Sequence, residues 1–176
     1  MRHSPVLLIA LWLSPILAGR LTAQGAGASP PKACASPEHH QFDFWIGEWE
    51  VSLPNGARAG ANLIQPILDG CVVHESWTGA KGGKGQSFNA YDATRRVWHQ
   101  TWVSDQGDLL ILEGRFDQGK MILVGEKRDS GGAKRLERIT WQETAPGEVR
   151  QLWDSSTDGG TTWTVQFDGR YRKKAS

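Results

Sequence analysis

From Gly47 onward the sequence is a succession of short segments in which apolar and polar residues alternate, each closed by a turn. This pattern predicts strands at about 48–53, 58–68, 71–79, 85–92, 96–104, 108–116, 120–128, 134–143, 147–155 and 162–172. The separators include "PNGA", "DG", "GAKGGKG", "DQG", "DSGGA", "TAPG" and "STDGG". Most carry Gly with Asp or Asn, residues that accept the positive φ of tight hairpins. No segment keeps a 3.6-residue period, and the connections are too short for the crossovers that parallel strands need. The chain therefore reads as all-β, with about ten antiparallel strands joined in sequence order. One open sheet of that size would leave long edges exposed, so a single closed up-and-down barrel over 41–173 is expected. A two-sheet sandwich is the alternative.

The first residues follow another logic. Arg2 and His3 precede the apolar run "VLLIALWLSPIL", which gives way to "AGRLTAQGAGA". A short positive start, an apolar middle and a small-residue zone are the layout of a secretory signal peptide, here 1–23, with Ala23 or Ala28 as the cleavage point. The apolar run is shorter than the roughly 20 residues that span a bilayer. Residues 24–40, rich in Gly, Ala, Ser and Pro, read as a flexible lead-in. The aromatic "FDFWIG" that follows is expected to cover one end of the fold. A secreted or periplasmic protein is implied.

Without Arg2 and Arg20 the chain carries 18 basic and 19 acidic side chains, a net charge of −1. No electrostatic footprint for nucleic acid follows from that balance. Cys34 and Cys71 are the only cysteines. An even count in an exported chain suggests one disulfide, with two unpaired thiols as the alternative. Two well-separated cysteines lack zinc-ligand spacing.

Gly47-Glu48-Trp49 is similar to the G-x-W signature that opens lipocalin barrels. The ordered set "FDFWIGEWEV", "GCVVHESW", "NAYD", "WHQTWVSDQG" and "SSTDGGTTWTVQFDGRY" resembles the DUF1579-like family of exported bacterial proteins of unknown function. The resemblance covers about 41–172. It implies a calycin-type barrel, as in lipocalins, fatty-acid-binding proteins and nitrobindins, and no established activity. In lipocalins an Arg of the last strand packs across the G-x-W Trp, which implies Arg170 or Arg172 over Trp49.

Residues two apart on a strand share a face. One face of three neighbouring strands carries Cys71, Val73, Glu75 and Trp77, then Ser87, Asn89 and Tyr91, then Trp98, Gln100 and Trp102. If this face points inward, the interior holds a few polar groups among large aromatics. Each such group buried without a partner costs roughly 1–3 kcal/mol, so they must pair with one another, with water or with a ligand. Aromatic walls with convergent polar groups make a small-molecule pocket. Glu75, Trp77, Ser87, Asn89, Tyr91, Trp98, Gln100 and Trp102 are thus the candidate ligand-binding residues, and an unidentified small amphipathic molecule is the expected partner. A self-satisfied polar core is the alternative. Arg138 and Arg150, at mid-strand, face either solvent or a buried acid such as Glu75. Gly114 and Gly125 mark bends or clear space inside.

Catalytic motifs are sparse. Ser156-x-Asp158-x-Gly160-x-Thr162-Trp163 resembles the Asp-box of sialidase propellers, but there is one copy and no blade repeat. It reads as a hairpin lock. The sequence has no G-x-S-x-G nucleophile elbow, and "GGKGQS" lacks phosphate-loop spacing. Glu75 has no acidic partner of its parity on adjacent strands, as a retaining glycosidase requires. An enzyme using Glu75 as acid/base remains an alternative, as does a structural or partner-binding envelope protein. His39 and His40 lie in the lead-in. His74 and His99 oppose the Trp-rich face and would point outward, away from any haem in the cavity. No metal or cofactor is expected.

Overall fold

The computed structural model describes residues 33–129 and 131–175. The expected signal peptide and the start of the lead-in lie outside them. Ten strands form a closed antiparallel barrel in which each pairs with its sequence neighbours and the last closes on the first. They are β1 (Gly47–Ser52), β2 (Arg58–Ile67), β3 (Val72–Gly79), β4 (Lys84–Asp92), β5 (Val97–Ser104), β6 (Leu109–Asp117), β7 (Lys120–Arg128), β8 (Lys134–Ala145), β9 (Glu148–Ser156) and β10 (Thr164–Lys173). Closure removes the exposed edges that so many strands would otherwise leave.

The hairpins follow from local chemistry. At the β6–β7 turn Gln118 and Gly119 have φ of 46° and 78°, the pair of positive values that a two-residue turn needs to match strand twist. Gly114 and Gly125 mark close backbone approach. A Cβ on Gly114 would lie 2.0 Å from the Ile122 carbonyl oxygen, and one on Gly125 would lie 2.0 Å from that of Ile111. β10 starts at Thr164 rather than 162, because the Thr162 amide donates to Asp158.

The two ends of the barrel differ. At one end the lead-in forms 3₁₀ turns at Pro37–His40 and Asp43–Trp45 and folds into the opening. Phe42 and Trp45 are fully buried and stack at 4.9 Å. Phe42 also meets Trp98 and Trp141 edge-on, at 5.7 and 5.2 Å. The Trp98 indole donates to Gln41 and that of Trp49 to the Trp45 carbonyl. This plug fills the lower half of the barrel with aromatic rings.

Cys34 and Cys71 are bonded, with Cα atoms 5.1 Å apart across 37 residues of sequence. The bond ties the lead-in to the β2–β3 connection beside the plug. Cross-linking a loop of that length removes chain entropy worth about 4 kcal/mol. The described part of the lead-in, residues 33–40, is thus a fastened cap.

The cover of Trp49 differs from the lipocalin-like expectation. Trp49 pairs with Lys173, whose Nζ lies 5.7 Å from the ring centroid. Arg170 and Arg172 stand opposite Ser52 and Glu50, on the outward parity. Register places a lysine where the resemblance implied an arginine.

Candidate functional site

All eight candidate residues take the inward parity, but they divide by depth. Glu75, Ser87, Asn89, Trp98 and Gln100 are buried, at 0–4% exposure. Trp98 and Tyr91 belong to the plugged end, where Tyr91 meets Trp98 at 6.0 Å and His39 edge-on at 5.2 Å. Above them the barrel is hollow. A cup of about 370 Å³ opens at the opposite end, lined by Glu75, Trp77, Gln100 and Trp102 of the expected set. Ser104, Asp108, Leu110, Lys127, Ile139, Gln151, Trp153, Gln166, Phe167 and Tyr171 complete it.

The walls stay open because their rings pack closely against glycines. A Cβ on Gly85 of β4 would come within 2.1 Å of the Trp102 ring. One on Gly60 of β2 would meet the Trp77 ring at 2.7 Å, and one on Gly169 of β10 the Phe167 ring at 2.4 Å. Each missing side chain gives an aromatic ring a place in the wall, so the ring lines the cup instead of filling it.

The floor is a hydrogen-bonded network of neutral groups centred on one acid. Glu75 accepts from Asn62 Nδ2 at 2.7 Å and from Ser87 Oγ at 2.6 Å. Asn89 Nδ2 donates to the Val73 carbonyl and to Ser87 Oγ, both at 2.9 Å. A backbone carbonyl can only accept, so this contact fixes the Asn89 amide. Its Oδ1 therefore faces Gln100, whose Nε2 donates at 2.8 Å. Among the described residues no donor reaches the Gln100 oxygen. Asn62 also donates to the Tyr171 hydroxyl, which donates in turn to Gln151.

Glu75 has no ion-pair partner among the described residues; its two hydrogen-bond partners are uncharged. Burial raises its pKa from the ordinary 4.5 to about 7, against the lowering effect of Ser87 and Asn62. Burial together with the Glu75 charge also pushes the Tyr171 phenol well up. Arg138 and Arg150 do not face Glu75. Both point outward, in two-point ion pairs with Asp154 and Asp168. The second inward acid, Glu137, is fully buried but bonded to Arg135 at 2.6 Å and to the Trp153 indole at 2.7 Å. At the rim Lys127 pairs with Asp108 at 3.3 Å.

The outer wall carries a larger concavity of about 850 Å³ that includes Arg58, Arg150, Arg170 and Arg172. Three of these pair with Glu50, Asp168 and Glu148. Its lining is dominated by these charged side chains and holds one aromatic residue, Tyr171, whereas the cup is walled by several aromatic rings and is the stronger candidate site.

His74 and His99 lie on the outer face, half-buried. His74 bonds Gln86, and His99 bonds Glu113 and Thr101. The Asp-box segment does not line the cup either. Asp158 accepts from the Thr162 amide and hydroxyl and from Ser156 Oγ, contacts that hold its pKa well below the usual range. Ser156 Oγ accepts from the Gly160 amide at 2.8 Å. Trp163 folds back over the wall, with the Arg138 guanidinium 3.8 Å from its ring centroid. No family model matches the chain, and no curated protein sequence matches it.

Proposed function

We propose that this chain is an exported calycin-like barrel, of the DUF1579-like kind, that binds one small amphipathic molecule in the cup. The observation that supports this most is the division of the interior. One half is packed solid with aromatic rings. The other holds a 370 Å³ space with indole walls and a polar floor. That volume lies within the range of small-molecule pockets, about 300–1,000 Å³. A barrel with no ligand to hold could fill both halves with side chains, as small barrels commonly do. The disulfide agrees with an oxidising, non-cytoplasmic location. No helix of the described residues is long and apolar enough to cross a membrane.

Native mass spectrometry of the purified chain tests the reading. Binding predicts a co-purified or added small molecule held one-to-one and released on unfolding. A chain that retains nothing and takes up no apolar probe would instead fit a structural role.

A second reading is favoured by one observation. Glu75 lines the cup and titrates near neutrality, as a general acid or base must. Turnover that disappears in a folded Glu75→Gln variant would make the protein an enzyme.

A further inference from the structure

The charges around the cup do not cancel. At the rim Asp108, just before β6, pairs with Lys127 of β7. On β8, Glu137 pairs with Arg135. From β2, β4, β5 and β9 the groups that face Glu75 are the uncharged Asn62, Ser87, Gln100 and Gln151, and from β10 the phenol of Tyr171. Among the described residues Glu75 is therefore the one acid of the cup left without a counter-charge, at 4% exposure. Removing an ion from water costs several kcal/mol unless an opposite charge compensates it. Its neighbours in the walls are Trp77, Trp102, Trp153 and Phe167. Aromatic faces carry negative potential and attract cations, most strongly where water is excluded.

We propose that the cup takes a small organic monocation, an aromatic or apolar amine, with its ammonium at Glu75 and its apolar body between the indoles. This rests on the ligand-binding reading and names the chemistry of the ligand. A carboxylate ligand would set a second negative charge beside Glu75 and is disfavoured. A neutral ligand would leave the buried acid uncompensated. The cation supplies the missing charge and completes a one-to-one neutralisation. Burial holds Glu75 near 7, so below that pH the amine must displace a proton from it. Binding is accordingly coupled to proton release and weakens as pH falls.

The test compares three probes of one shape, 2-phenylethylamine, 2-phenylethanol and phenylacetate, by calorimetry on the full chain. At about pH 7.5 the amine is expected to bind at least about tenfold tighter than the alcohol, and phenylacetate more weakly than either. Glu75→Gln abolishes the amine's advantage over the alcohol. In the wild type the amine's affinity falls by up to about tenfold per pH unit below about pH 7, with a heat that depends on buffer ionisation. The alcohol shows neither effect. This pH arm needs no variant and stands if Glu75→Gln misfolds. Equal binding of amine and alcohol, preference for phenylacetate, or an amine affinity indifferent to pH overturns the proposal. If none of the three binds while the neutral fluorophore N-phenyl-1-naphthylamine does, the cation proposal falls and the cavity reading survives. If the fluorophore fails as well, both fall.

Discussion

Glu75→Gln should stabilise the unliganded protein, and by an amount that depends on pH. The folded chain holds the Glu75 proton up to about pH 7, whereas the ordinary value is 4.5. Between those two values the folded state carries a proton that the unfolded chain has released. Stability must then fall as pH rises from about 4.5 to 7, and the loss is complete above 7. Each pKa unit is worth 1.36 kcal/mol, which makes the total penalty about 3 kcal/mol. Glutamine has nearly the shape of the protonated acid and does not titrate. The stability difference, Gln minus Glu, should therefore grow by about 3 kcal/mol across that window and be flat on either side. Urea unfolding of both proteins at about pH 4, 5, 6, 7 and 8, with the disulfide intact, measures it. Subtracting the wild type cancels every other titrating group. A difference that does not change with pH, or one that shrinks as pH rises, would refute the reasoning.

Four further outcomes follow from the same geometry. Asp158→Ala removes the acceptor that organises the β9–β10 turn and should cost about 0.5–2 kcal/mol in denaturant melts, with fluorophore binding unchanged once folding is controlled. Trp98→Ala opens the packed end and should cost about 3 kcal/mol or more, whereas His74→Ala and His99→Ala on the outer wall should stay near 0.5 kcal/mol. Gly85→Ala should drive the Trp102 ring into the cup and weaken fluorophore binding several-fold, read by titration; unaltered affinity would mean that the ring does not bound the site. Reduction of Cys34–Cys71 should lower stability by up to about 4 kcal/mol, measured as a shift in the urea midpoint.

The barrel was legible because its signals are local. Period-2 alternation and Gly-Asp turns are written within each hairpin, and they fix strand parity all at once. A slip of one residue would have exposed Trp98 and Trp102 and buried His74 and His99. Depth was not legible. Nothing within "NAYD" or "VWHQTW" says that Tyr91 and Trp98 fall at the plugged end while Gln100 and Trp102 open onto space. That depends on where the lead-in folds back, a contact between residues far apart in sequence. Gln151 and Trp153 repeat the same Trp-plus-polar parity on β9 and were readable by that rule. Phe167 and Tyr171 were harder, because the irregularity between Val165 and Phe167 breaks the alternation on β10. Glycines at 60 and 85 carried a signal only in combination with the rings that lie on them. Lys173 over Trp49 and Arg138 beneath Trp163 are products of register and of a folded-back turn, which no single segment encodes.

The central claim is that the open half of the barrel is a binding cup, and a titration with N-phenyl-1-naphthylamine tests it most directly. Leu110 lines the cup and is 5% exposed. Leu110→Trp would therefore place a ring inside it. The wild type should bind the fluorophore saturably at one equivalent, with quenching of the tryptophan emission that Trp77, Trp102 and Trp153 supply. The folded Leu110→Trp variant should bind at least about tenfold more weakly. Absence of saturable binding in the wild type, or equal binding by a folded Leu110→Trp protein, would contradict the account.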